Sequence, residues 1–182
     1  MTFDELQEHT GVQDAADWHI HPNGGGWIRR NAHVDATAFV GASAIVWGTV
    51  SGNAQVSGDA WVSGDAWVSG NAQVYGNAQV YGNAWVYGNA RVSGDAWVSG
   101  NAQVYGNAQV YGNAWEKSPL YIVGSRHSLT NAKKGYIQIG CHLHTVAYWQ
   151  EHFRAIVRAE GYTDAEVEEY GTYIELFAKI GR

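Results

Sequence analysis

From residue 52 the chain repeats one six-residue phrase: Gly, then Asn or Asp, Ala, a variable residue, Val, and Ser or Tyr. Eleven such hexads run to residue 117, the last of them the degenerate Gly112-Asn113-Ala114-Trp115-Glu116-Lys117. Valines stand at 56, 62, 68, 74, 80, 86, 92, 98, 104 and 110, each with an alanine two places before it. Six is not a helical spacing, because one face of an α-helix recurs about every 3.6 residues. Inside Ala-x-Val-x the alternation has period two, which is a strand with Ala and Val pointing inward and the intervening Gln, Trp or Arg, and the following Ser or Tyr, pointing outward. The Gly-Asn and Gly-Asp pairs make corners, since glycine accepts positive φ at no Cβ cost and Asn and Asp tolerate it. Strand and corner in alternation wind the chain into a solenoid.

A looser form of the pattern begins earlier, at Ala32-His33-Val34, Ala38-Phe39-Val40 and Ala44-Ile45-Val46. The step from Val46 to Val50 is four residues, so one corner is shortened around Trp47-Gly48. Composition agrees with a packed repeat rather than a flexible chain: 46% of residues are apolar and 15% charged, with 23 glycines and only 2 prolines. A net charge of −6 argues against non-specific binding of nucleic acid. The single cysteine, Cys141, permits no intrachain disulfide. No apolar run has membrane-spanning length and residues 1–10 carry no secretory pattern, so the expectation is a cytoplasmic protein without a membrane partner.

The hexads resemble the hexapeptide-repeat family of left-handed parallel β-helices over residues 32–117. That resemblance implies an all-β solenoid in which three hexads close one triangular coil. Fourteen or fifteen hexads then make about five coils, a prism about 24 Å tall at the usual spacing between strands. Stacking in steps of eighteen aligns Gln55, Gln73, Arg91 and Gln109 in one outward column, Trp61, Gln79, Trp97 and Trp115 in a second, and Trp67, Trp85 and Gln103 in a third. So many outward tryptophans point to association. Relatives of the fold commonly trimerise side by side, so a homotrimer is the expected assembly.

The coils themselves are poor ground for chemistry. Residues 63–85 recur letter for letter as 93–115, an offset of 30, which is not a multiple of eighteen and sets the two copies on different faces. A catalytic site would not survive that transposition, whereas a spacer selected for regularity would. Acyltransferases that share the hexads carry a catalytic histidine on a loop interrupting the coils, and carbonic anhydrases that share them bind zinc through three histidines. Here no histidine lies between His33 and His127.

At the N-terminus, Thr2 and Glu5 form a capping-box pattern for a helix to about His9. His19 and His21 stand two apart before Gly24-Gly25-Gly26-Trp27, a segment expected to cap the first coil. The pair suits either a metal or plain packing under the cap. After Ser118-Pro119 the period is lost. Residues 120–124 and 136–140 read as strands of a hairpin, with the turn near residues 131–135. Thr145 caps a helix to about Glu160, and Thr163 with Glu166 caps another to about Lys179. The organisation expected is a cap over residues 1–30, the solenoid over 31–117, and a hairpin-plus-two-helix module over 118–182.

Ile139-Gly140-Cys141-x-x-His144, preceded by Arg126 and His127, resembles the C-terminal module of phage and prophage hexapeptide-repeat proteins. From the residues themselves, Arg126 suits a phosphate or carboxylate. His127 and His144 suit hydrogen bonds to the same anion, and Tyr136, Tyr148 or Trp149 a stacked ring. Cys141 with His144 is alternatively a thiolate–imidazole pair, or part of a metal site with His142 or His127. The leading reading is a non-catalytic trimeric scaffold of phage type, without a cofactor or resident metal. Its module binds or sequesters a small anionic ligand, nucleotides among the candidates. The alternatives are an acyl-CoA-dependent acyltransferase and a purely structural spacer or assembly protein.

Overall fold

In a computed structural model, which describes residues 1–112, 114–115 and 117–180, the repeat folds as a parallel β-solenoid of about five coils. Asn113 and Glu116 of the last hexad lie outside the described residues. Each hexad contributes one short strand, and strands eighteen residues apart pair in parallel, as Gln73 does with Gln55 and Arg91, and Trp85 with Trp67 and Gln103. Two of the three faces are five-stranded. The third continues upward through the strands Trp27–Arg29 and Trp18–Ile20.

The alanine and valine columns fill the interior completely: Ala54 to Ala108 and Val56 to Val110 are all inaccessible to solvent. The gain per valine is about 1.5 kcal/mol or more, repeated at every hexad. The shortened corner lies where the sequence places it. Above Trp47-Gly48 the coil step is sixteen residues, with Thr49 beside His33 and Trp61 beside Ile45; below it the step is eighteen, with Trp67 beside Thr49.

One column departs from its expected register. Trp97 pairs with Ala114 and Val98 with Trp115, a step of seventeen. Trp115 therefore leaves the outward tryptophan column and enters the valine column, where it is 4% exposed and packs against the solenoid core. A slip of one residue moves a strand side chain to the opposite face. The result closes the lower end of the core with an indole.

The upper end is closed by the N-terminal segment. Helix α1, Phe3–Thr10, carries the expected capping box between Thr2 and Glu5. Leu6, Trp18, Trp27 and Ile45 form a separate buried cluster beneath it, with Trp47 and Trp61 against its edge. Trp18–Ile20 pairs antiparallel with Trp27–Arg29, which in turn lies parallel to the first coil. The two histidines there are separated: His21 is buried with its Nδ1 near Asn23, while His19 is exposed.

The C-terminal module differs from the expected hairpin. It is a four-stranded antiparallel sheet, in the order Tyr121–Val123, Ser128–Lys133, Tyr136–Ile139, His142–Thr145. The two strands read from sequence are therefore not neighbours. Ser128–Lys133 lies between them, and the residues assigned to the turn, Asn131 to Lys133, are its second half. Helices α2, Val146–Ala159, and α3, Asp164–Ile180, cover one face of this sheet. Their caps are Thr145 and Thr163, and Trp149, Phe153, Val157, Val167, Tyr170, Ile174 and Phe177 are buried with Leu129, Ile137 and Ile139. Tyr121 ties the module to the solenoid: its hydroxyl accepts from the Asn107 N–H at 3.0 Å and its ring meets Tyr105 edge-on. No helix among the described residues is long and apolar enough to cross a membrane.

Candidate functional site

The reactive side chains named from sequence collect on one end of the module, but in three separate settings. The first is a small cavity between the sheet and α2, of about 40 Å³, lined by His127, Cys141, His142, Trp149, Glu160 and Tyr162 among others. Gly140, at φ +55°, makes it possible: a Cβ there would stand 3.2 Å from the His127 ring, so the imidazole lies over a bare Cα. His127 is fixed from both sides. Its Nδ1 is 2.5 Å from the Tyr162 hydroxyl, and its backbone N–H and carbonyl both bond the Tyr170 hydroxyl, the carbonyl at 2.6 Å. Burial, and then the neighbouring Tyr170, push the Tyr162 phenol well above its ordinary value, so it stays protonated. His142 Nε2 lies 3.1 Å from Glu160 Oε1, and Cys141 is exposed at the rim.

The second setting belongs to Arg126. Its guanidinium donates to the Gly161 carbonyl at 2.9 Å and the Glu160 carbonyl at 3.0 Å, lies 3.9 Å from Glu166, and stacks over the Tyr162 ring. Glu160 caps α2 and Gly161 follows it in the turn to α3, so Arg126 acts as a clamp on the α2–α3 corner. It is not aimed into the cavity that His127 lines.

The third is an aromatic strip along the sheet edge. His144 and Tyr148 are 4.4 Å apart, and Tyr148 and His152 4.2 Å. His144 is held below the ordinary imidazole range, first by partial desolvation and then by His142 and His152. Trp149 is a core residue rather than a surface platform: it is 1% exposed and its indole N–H donates to the Ile137 carbonyl at 2.8 Å. Tyr136 stands apart from all three, opposite Thr145 and beneath Lys133.

Of the residues named together from sequence, the structure brings His127, Cys141 and Trp149 to one cavity and His144 and Tyr148 to the adjacent strip, and leaves Arg126 and Tyr136 outside both. Sequence reading missed Glu160, Tyr162 and His152. Glu160 and Tyr162 flank the Gly161 stop signal, and nothing in a linear pattern says that a helix end will face a strand turn 20 residues away. Among the described residues no three of His, Cys, Asp and Glu converge closely enough to hold a metal ion. A wider recess of about 830 Å³, bordered by Tyr81, Ser99, Asn101 and Lys117, opens at a solenoid corner. None of the candidate residues reaches it.

Comparison with known proteins bears on the solenoid alone. The family model described as YdcK Beta solenoid repeat matches four times, over residues 54–70, 72–87, 84–100 and 102–117. The chain is a β-solenoid repeat protein, similar over those residues to that family; the cap and the C-terminal module fall outside the matches. No curated protein matches the chain, and no solved structure does.

Proposed function

We propose that the chain is a non-catalytic scaffold, a rigid strut that associates side by side into a homotrimer and displays three copies of its C-terminal module. The observation that carries this reading is the outward surface of the coils. Trp67, Trp85 and Trp97 are 42%, 44% and 46% exposed on two faces, and Phe39 and Tyr75 project from the third. Arg91 is the only charged residue in the outward strand columns between Thr49 and Tyr111. Corner follows strand without insertion over the same stretch, so there is no loop to carry an acyltransferase histidine.

Size favours three copies over two. A face about 24 Å tall and about 20 Å wide offers about 480 Å², short of the roughly 800 Å² per partner that a stable interface buries. A closed threefold ring lets each prism bury two faces. Both ends of the solenoid are covered, the first coil by the segment 23–28, which bonds the Val40 and Ala44 backbone and buries Ile28, and the last by Trp115 with the module, so stacking end to end into a filament is disfavoured. Native mass spectrometry on the 19.9 kDa chain tests the proposal. A trimer that falls to monomer on Trp67→Ser with Trp85→Ser supports it; a native chain that is monomeric at micromolar concentration overturns it.

The same reading makes the module the recognising part, because His127, Cys141, His142 and Trp149 gather at one cavity. At about 40 Å³ that cavity suits a water or a small ion; small-molecule pockets start at about 300 Å³. A thermal-shift panel of phosphate, nucleotides and acyl-CoA tests this. The phage or prophage setting belongs to the same proposal and rests on the resemblance of the Ile139-Gly140-Cys141-x-x-His144 segment.

A further inference from the structure

We propose that the recess at the solenoid corner between Tyr81 and Lys117 binds an acidic sugar, a pyranose ring carrying a carboxylate or a phosphate. All of its groups belong to one chain's solenoid, so the inference goes beyond the scaffold reading and does not depend on the module.

The recess follows from one choice in the repeat. The residue after each valine is Ser or Tyr, and these side chains stack in columns eighteen residues apart. Where tyrosines follow one another, as Tyr87 and Tyr105 do, their rings stack at 5.5 Å and 14° and fill the corner. In the column of Tyr81, Ser99 and Lys117 the middle rung is a serine. That side chain is too short to cover the Tyr81 ring, and about 830 Å³ stays open between Tyr81 on one side and Lys117 with Ser118 on the other. The volume is that of a small-molecule site.

The groups around it are donors without partners. Ser99 is 4% exposed, and its backbone is committed: the N–H donates to the Trp115 carbonyl at 2.9 Å, and the carbonyl accepts from the Ala102 N–H at 3.1 Å. Its hydroxyl lines the recess and has no hydrogen-bond partner among the described residues, an uncommon state for a buried polar group. Asn101 ends its own ladder. Asn83 donates to its Oδ1 at 3.3 Å, which leaves its Nδ2 as a donor. The N–H groups of Asn53, Asn71, Asn83 and Asn89 each donate to a glycine carbonyl one coil on. Eighteen residues beyond Asn101 stands Pro119, and the Asn101 N–H donates to nothing among the described residues. Lys117 is exposed and makes no ion pair among them, and none of the described residues lining the recess is acidic.

An ammonium beside neutral donors selects an anion. The form of the recess selects what carries it. Tyr81 offers one aromatic face, which suits the C–H face of a pyranose, and no second aromatic ring lines the recess to sandwich a base. Gly82 and Gly100, at φ +69° and +61°, present bare backbone, so ring hydroxyls can come close to the corner.

Glucuronate, glucose 6-phosphate, glucose and inorganic phosphate are titrated into the full-length chain by calorimetry. The two sugar acids should bind at about 1 mM, with glucose roughly tenfold weaker. Lys117→Gln should bring the acids down to the level of glucose. Tyr81→Ser, which places at this rung the residue the column carries at 63 and 99, should weaken the acids and glucose alike. Ser99→Tyr, the other residue the repeat uses, should fill the recess and abolish binding, while Ser69→Tyr at another corner binds as the native chain does. Circular dichroism and the melting temperature verify that each variant is folded; Lys117→Gln and Tyr81→Ser alter partly exposed side chains and carry the test if Ser99→Tyr is unstable. The proposal is overturned by acids that show no saturation at about 10 mM, or by affinities unchanged in both Lys117→Gln and Tyr81→Ser. Inorganic phosphate binding as tightly as glucose 6-phosphate overturns it as well, since the ring would then have no part.

Discussion

Trp115 sits beneath Val98, not beneath Trp97. Eighteen residues separate the two tryptophans in sequence, yet one is 46% exposed and the other plugs the core. Trp115→Ala should therefore destabilise the chain by about 3–5 kcal/mol, while Trp97→Ala should cost under about 1 kcal/mol. The Trp115 indole N–H is buried without a partner among the described residues, so Trp115→Phe should cost much less than the alanine variant. Urea unfolding of the three variants checks the order; equal losses at 97 and 115 would place both rings outside.

Corner glycines are predicted to differ by position. A Cβ at Gly58, φ +64°, would stand 2.8 Å from the Gly76 carbonyl oxygen of the next coil, whereas at Gly94, φ +62°, it meets nothing within 4 Å. Gly94→Ala should cost about 1 kcal/mol, the left-handed strain alone. Gly58→Ala adds a backbone clash and should cost about 2–4 kcal/mol. Chemical denaturation of the two variants side by side reads the difference directly.

Arg126 is expected to matter for stability first. Arg126→Ala removes two charge-assisted bonds to the carbonyls of Glu160 and Gly161 and a stack on Tyr162. A loss of about 2 kcal/mol follows, read as faster hydrogen exchange in α2 and α3. Arg126→Lys should rescue little, because an ammonium cannot fork to two carbonyls.

Acid should weaken the module through Glu169. The Ser125 hydroxyl donates to one carboxylate oxygen at 2.6 Å and the Ser125 N–H to the other at 2.8 Å, and together they hold Glu169 below the usual carboxylate range. A carboxylate lowered in the folded state adds stability that is complete above its unfolded value and is lost as pH falls through the folded one. The acid-unfolding midpoint should therefore rise in Ser125→Ala, and Glu169→Gln should flatten the pH dependence below about pH 4.5. Circular dichroism across pH 2 to 6 makes the comparison; superimposable curves would remove Ser125 from the account.

The fold was legible wherever the signal was periodic. The columns headed by Gln55, Trp61 and Trp67, and the short corner at Trp47-Gly48, follow from spacing, because a strand in a solenoid sees only its neighbours one coil away. The helices α1, α2 and α3 were legible from Thr2, Thr145 and Thr163, whose capping chemistry is local. Ser128–Lys133 was not, since Asn-Ala-Lys-Lys-Gly looks like a turn until flanking strands supply partners for its backbone.

The candidate site was legible only in its membership. Arg126, His127, Cys141 and His144 are near one another in sequence and in space, but their roles depend on where α2 ends. The Tyr162 and Tyr170 hydroxyls claim His127, and the Glu160 and Gly161 carbonyls claim Arg126. Those partners lie 34 to 43 residues along the chain.

Sequence by itself settled the solenoid, its interior of alanine and valine, and the helix starts, because each depends on contacts at fixed short or periodic separations. Only the tertiary structure decided that Trp115 turns inward, that Arg126 clamps a helix end, and that His142 meets Glu160. Each of these depends on one-residue register or on packing between distant segments, where a shift of a few ångströms changes which groups meet.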